Sequence, residues 1–167
     1  MLLGSNSNVD NSIGTELLVT QLMMQQRYAE AYELLMNQQP TSTSVLYNLA
    51  ICLHWSGNYQ QALTRLENIR LLPQLNNANK LSTNNDLQVI RGKQNQTDDH
   101  LQGITEAYVK SFPPVVNDAI VRLKTDCWLQ LGNYNKVIAI STPIAYKGYK
   151  NITDALTLAN TVNGQRI

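Results

Sequence analysis

Apolar positions recur along most of the chain with the spacing of helices. Between residues 44 and 56, Leu46, Leu49, Ala50 and Leu53 fall at i, i+3, i+4 and i+7, one face of a helix. Ser44 is its expected N-cap, and Gly57 the residue just past its end, where a left-handed backbone suits glycine. Over 59–71, Ala62, Leu63, Leu66 and Ile69 repeat the pattern, with Pro73 as the expected stop. Upstream, Leu18 and Leu22 precede a turn, and Ala31, Leu34 and Leu35 follow it before Pro40. Downstream, a helix opens at Pro113-Pro114 and runs through Ile120, Leu123, Cys127 and Trp128. It turns at Gly132-Asn133, and the following helix stops near Pro143. No stretch alternates with period two long enough for a strand. The predicted class is all-α.

The turns repeat. Gly57-Asn58-Tyr59-Gln60-Gln61-Ala62-Leu63 is echoed by Gly132-Asn133-Tyr134-Asn135-Lys136-Val137-Ile138, and more weakly by Arg27-Tyr28-Ala29-Glu30-Ala31-Tyr32. A degenerate copy is read at Asp99-His100-Leu101-Gln102-Gly103-Ile104, with His100 in the Tyr place, because Tyr59 to Pro73 and His100 to Pro114 are both 14 residues. The anchors Tyr28, Tyr59, His100 and Tyr134 are separated by 31, 41 and 34 residues, within the range of paired-helix solenoids. The expected organisation is a disordered segment at 1–11 and a single domain at 12–162. Its units fall at about 12–40, 43–73, 84–114 and 115–143. The amide-rich stretch 73–84 reads as an exposed loop, and 143–150 as either an irregular link or a helix extension. Asn151-Ile152-Thr153-Asp154 resembles a capping box and opens a capping helix at 151–162.

These residues resemble the tetratricopeptide repeat family. Leu46, Leu49-Ala50, Gly57-Asn58-Tyr59, Ala62, Leu66 and Pro73 follow that family's signature in order, and Gly132-Asn133-Tyr134 repeats its turn. The first unit departs by placing Gln26 where the turn glycine belongs. The resemblance covers roughly residues 12–142 and implies a right-handed superhelical solenoid of about four helix-turn-helix units. Tyr28, Ala31, Leu49, Ala50, Gly57, Tyr59, Ala62, His100, Gly132 and Tyr134 are its expected packing residues. Small residues let the two helices approach, the Tyr after each turn fills the gap to the next unit, and stacked neighbours bury what one unit cannot.

Composition narrows the function. There are 13 Lys and Arg against 12 Asp and Glu, a net charge of +1, and the charged fraction of 15% is below the usual quarter or so. Amides supply the polarity instead, with 19 Asn and 14 Gln. The near-neutral balance lacks the electrostatic footprint of a nucleic-acid binder, and no apolar run approaches the roughly 20 residues of a membrane span. MLLGSNSNVDNS has neither a basic start nor a long apolar core, so no signal peptide is read and a cytoplasmic protein is expected. Cys52 and Cys127 are expected to be buried free thiols.

Chemistry is sparse. His54 and His100 are the only histidines, and Cys52 and His54, two apart on a helix, point to different faces. No metal site, no cofactor and no catalytic residue is read, because no GxSxG, HExxH, Walker or GxGxxG pattern occurs. Asp98-Asp99 reads as helix capping, and the triplets Asn95-Gln96-Thr97 and Asn151-Ile152-Thr153 as chance matches to a glycosylation acceptor. The expected function is therefore non-enzymatic: binding a peptide or helix of another protein, as an adaptor, chaperone or scaffold.

In the related family the first helix of each unit lines a concave groove, which places Tyr47, Asn48, Ile51, His54 and Trp55 there. Tyr47, Ile51 and Trp55 are four apart and form one stripe. Arg122 and Asp126 should face the same side, pairing with each other at i, i+4. The family's carboxylate clamp is not expected, since only Asn48 matches it, while Glu16, Thr20, Ala119 and Leu123 fill the other places. The alternative expectation is a structural, self-associating subunit whose groove is closed in a homo-oligomer.

Overall fold

Three helix reversals share one geometry. The computed structural model describes residues 7–38, 41–70 and 84–164. It begins with α1 (Ser7–Met24), α2 (Tyr28–Met36), α3 (Thr43–Trp55), α4 (Tyr59–Glu67) and α5 (Asn85–Gln94). A 3-10 turn at Asp99–Leu101 precedes α6 (Glu106–Ser111), α7 (Pro113–Gln130) and α8 (Tyr134–Ser141); a second, at Thr142–Lys147, precedes α9 (Lys150–Gly164). The reversals α1/α2, α3/α4 and α7/α8 each turn on one left-handed residue: Gln26 (φ 59°), Gly57 (φ 81°) and Gly132 (φ 69°). The next amide closes each turn, Arg27 N–H to the Leu22 carbonyl, Asn58 to Leu53 and Asn133 to Trp128, at 2.8, 2.8 and 3.0 Å.

Glycine takes that conformation without strain, whereas Gln26 carries a Cβ against a carbonyl. The left-handed penalty of about 1–2 kcal/mol exceeds the roughly 0.5–1 kcal/mol that glycine loses in unfolded-state entropy. Gln26→Gly is therefore expected to raise stability by about 0.5–1 kcal/mol. The check is a higher urea midpoint at unchanged slope; a lower midpoint contradicts the strain.

The three helix pairs stack in chain order. α2 packs on α3, α4 packs directly on α7, and α9 closes the stack against α7 and α8. Ala31, Ala62 and Val137, each three residues after the turn tyrosine, are fully buried, as are Leu49 and Ala50 on α3. Cys52 and Cys127 are free and buried in the same core. Burial pushes both thiols up to about 12, which leaves almost no thiolate at neutral pH.

Residues 84–112 form no helix pair inserted in this stack, although Leu101, Ile104, Tyr108 and Val109 pack against its core, which corrects the expected third unit at 84–114. α5 buries no residue, with Leu87 and Ile90 exposed, and α4 meets α7 with no helix pair between them. His100 does not take a turn-tyrosine place; it sits in the first 3-10 turn, almost fully buried. The 75 residues from Tyr59 to Tyr134 had room for an extra unit, and the shared 14-residue spacing to proline gave no information about stacking. Smaller differences follow local energetics. Residues 7–11, expected to be disordered, belong to α1, because extending a packed helix adds one hydrogen bond per residue. Ser42 caps α3 by accepting from the Val45 N–H, while Ser44 is buried at the helix's second position. Asn151 lies within α9 instead of capping it. Residues 143–147 form the second 3-10 turn, closed by Gly148 at φ 71°. Pro40, Pro73 and residues 73–83 of the expected loop lie outside the described residues.

Candidate functional site on the face of the first helices

The first helices of the pairs, α1, α3 and α7, share one face, and part of it is covered by the chain itself. After the first 3-10 turn the backbone runs extended through Gln102 (φ −89°, ψ 144°) to Thr105 (φ −101°, ψ 162°), whose hydroxyl caps α6. This strap lies across α3. The Tyr47 hydroxyl donates to the His100 carbonyl. The Asn48 amide donates to the Ile104 carbonyl at 2.8 Å and accepts from the Ile104 N–H at 2.9 Å. From α1, the Glu16 carboxylate accepts from the Glu106 N–H at 3.2 Å and from the Ser44 hydroxyl at 2.9 Å.

The stripe expected to be open on α3 is therefore divided. Tyr47, Asn48 and Ile51 are buried, at 0%, 3% and 2% exposure, while Trp55 is 62% exposed and stacks on Tyr28 at 4.8 Å. Burial raises the Tyr47 hydroxyl far above the ordinary tyrosine range. His54 is half-buried, edge-on to Tyr59 at 5.4 Å, and its pKa is lowered chiefly by desolvation.

Charged residues on α7 hold the strap from the other side. Asp118, Arg122 and Asp126 recur at i, i+4 and i+8, but Arg122 and Asp126 do not pair with each other as expected. The buried Arg122 guanidinium donates to Asp99, to the Thr97 carbonyl at 2.7 Å and to Asn151 at 2.9 Å, and lies over the Tyr149 ring at 4.5 Å. Asp126 takes His100 Nε2 at 2.6 Å and the Asn151 amide at 2.9 Å. Asp118 takes Lys147 Nζ and the Tyr149 hydroxyl, both at 2.7 Å, and burial with that hydrogen bond raises the tyrosine's pKa. Asp99, read from sequence as a cap, is thus an ion-pair partner. The two triplet asparagines are engaged as well, Asn95 donating to the Lys147 carbonyl at 2.8 Å and Asn151 to Asp126.

Beside the strap a cleft of about 540 Å³ opens over α7. Val115, Asp118, Ala119 and Arg122 form its floor, and Asp99, His100 and Ile104 one wall. Phe112 and Tyr146 line it too, 51% and 82% exposed, and Arg91 reaches it from the last turn of α5. A smaller apolar groove of about 290 Å³ holds Tyr28, Tyr32 and Trp55. Sequence reading missed Asp99, Phe112, Asp118, Tyr146 and Tyr149. The available signal was Asp118, Arg122 and Asp126 at every fourth place of α7, on the row between its apolar positions. Among the described residues no group of three or more His, Cys, Asp or Glu could hold a metal ion, and no helix is long and apolar enough to cross a membrane.

Residues 22–79, spanning the first reversal and the whole α3/α4 pair, match the family model for the tetratricopeptide repeat. That segment is similar to a tetratricopeptide repeat. No curated protein and no solved structure matches it. Tetratricopeptide repeats generally mediate protein–protein interaction, and the family is typically non-enzymatic. The all-α solenoid of stacked helix pairs is the architecture such repeats form.

Proposed function

We propose that this protein is a tetratricopeptide-type interaction module that takes a short segment of a partner protein in the cleft over α7. The observation that carries this reading is the cleft itself. It lies on the face of the first helices, is large enough for two or three side chains, and is rimmed by the exposed aromatics Phe112 and Tyr146. Exposed aromatics beside a concavity are the usual anchors of protein recognition. The charges in the floor are already paired, so the cleft offers shape and apolar contact more than a reactive group.

Phe112→Ala/Tyr146→Ala tests this, because both side chains are exposed and surface changes of this kind shift stability by only about 0.5 kcal/mol. At unchanged helicity, the double variant is expected to lose at least tenfold in affinity for a partner captured by the wild type. Trp55→Ala, outside the cleft, is expected to retain it. Equal affinity in the cleft variant refutes the assignment.

A second reading rests on α1. Its outer side exposes Ile13, Leu17, Leu18 and Met24, whereas the outer side of α9 at the other end carries Thr153, Asp154, Thr157 and Thr161. Solenoid ends need a polar outer face, and these four exposed apolar residues of α1 do not supply one. A self-associating subunit would use this end, and light scattering on the same samples gives its mass directly.

A further inference from the structure

The strap is held as a bound peptide would be. Its principal contacts with α1 and α3 go to main-chain atoms: Tyr47 to the His100 carbonyl, Asn48 to both polar groups of Ile104, and Glu16 to the Glu106 N–H. An amide side chain that donates to a carbonyl and accepts from the N–H of the same residue does what a neighbouring β-strand does. It recognises extended backbone independently of side-chain identity. Selection comes from space. A Cβ at Gly103 would stand 2.8 Å from Met23 Sδ and 3.5 Å from Thr20 Cα, and Met23 is itself buried. The helices flanking the strap, α5 and α6, bury no residue fully, and the segment is held by these contacts, by those to Arg122 and Asp126, and by Leu101, Ile104, Tyr108 and Val109 packing against the core.

We infer that residues 99–106 are a pseudo-ligand bound in cis, and that the α1/α3 groove beneath them is a receptor for an extended peptide with glycine followed by an aliphatic residue. The occupant that opens this groove is a segment of a partner protein with that pattern. It competes with the strap for Asn48 and Tyr47. Tethering gives the strap an effective concentration on the order of millimolar, so the intact chain keeps the groove closed against weak ligands. The α7 cleft borders the same segment, with Asp99, His100 and Ile104 as one wall, and is open while the strap is seated.

The test uses the full chain with Gly103→Val/Ile104→Pro, which crowds Met23 and removes the N–H that Asn48 accepts. The probe is a fluorescein-labelled synthetic peptide of Thr97–Ala107. By anisotropy, the released variant is expected to bind it at least 100-fold more tightly than the wild type. A peptide carrying Gly103→Val should bind at least tenfold more weakly, and Asn48→Ala in the released chain should weaken binding at least tenfold. A released chain that keeps its helicity and cooperative melting yet takes no peptide overturns the inference. Should that chain not fold, hydrogen exchange on the wild type decides. Residues 100–106 exchanging at least tenfold faster than α3 supports a strap that opens by itself. Exchange at the rate of α3 makes the strap integral core and refutes the pseudo-ligand.

Discussion

Arg122→Ala is expected to lower the unfolding free energy by about 3–5 kcal/mol, the usual cost of deleting one partner of a buried ion pair. The side chain is 2% exposed and its nitrogens are committed to Asp99, Thr97 and Asn151, so truncation strands a carboxylate, a carbonyl and an amide at once. Its stacking on Tyr149 is lost as well. Arg122→Lys keeps the charge but cannot fork between partners, and is expected to recover less than half of the loss. Urea unfolding of both variants measures these differences, with the slope m reporting whether two-state behaviour survives. A double-mutant cycle with Asp99→Ala should return a coupling of about 1–3 kcal/mol. A value near zero would mean that the Arg122–Asp99 pair does not help to hold the strap on α7. The consequence reaches the cleft, because Arg122 forms its floor and Asp99 its wall. A variant that loosens their link should unseat the strap before it melts the helix pairs.

How much of this could be read in advance depended on what each residue had to satisfy locally. Gly57 and Gly132 mark left-handed turn positions that few other residues adopt, so the α3/α4 and α7/α8 reversals were legible from short motifs. Gln26 holds the same position against its preference, which is why the first turn was the fainter echo. Periodicity located α3, α4, α7 and α8 but carried no information about which pair stacks on which. Leu87 and Ile90 have helical spacing and form a helix, yet that helix buries no residue. The covered groove had a signal that went unread. Leu46, Leu49 and Leu53 on one row and Tyr47 and Ile51 on another make α3 apolar nearly all round, the mark of a helix buried on every side. Every residue from Ser44 to Leu53 is in fact buried. The pairing of His100 with Asp126, and of Asp99 with Arg122, spans more than twenty residues through an irregular strap. No local pattern encodes such a contact.

Tyr47→Ala is expected to cost about 3–5 kcal/mol, as for other fully buried aromatics cut to Ala. The ring has no exposed surface, and its hydroxyl supplies a partner to the His100 carbonyl. Tyr47→Phe separates the two contributions. It keeps the packing and leaves the carbonyl unpaired, for a loss of about 1–2 kcal/mol. Hydrogen exchange should then rise at 100–106 in both variants, because both lose the hydroxyl contact, but rise across α3 only in Tyr47→Ala. Trp55, two helical turns along the same row, is exposed, and Trp55→Ala should cost no more than its stacking on Tyr28, about 0.5–1.5 kcal/mol. Near wild-type stability for Tyr47→Ala, with strap exchange unchanged, would show that the strap does not seal α3. With a domain stability of about 5–15 kcal/mol, the expected loss of about 3–5 kcal/mol consumes a fifth or more of the total. Reduced partner binding by a Tyr47→Ala chain would therefore report a damaged fold, whereas the same loss in Phe112→Ala/Tyr146→Ala would report the cleft.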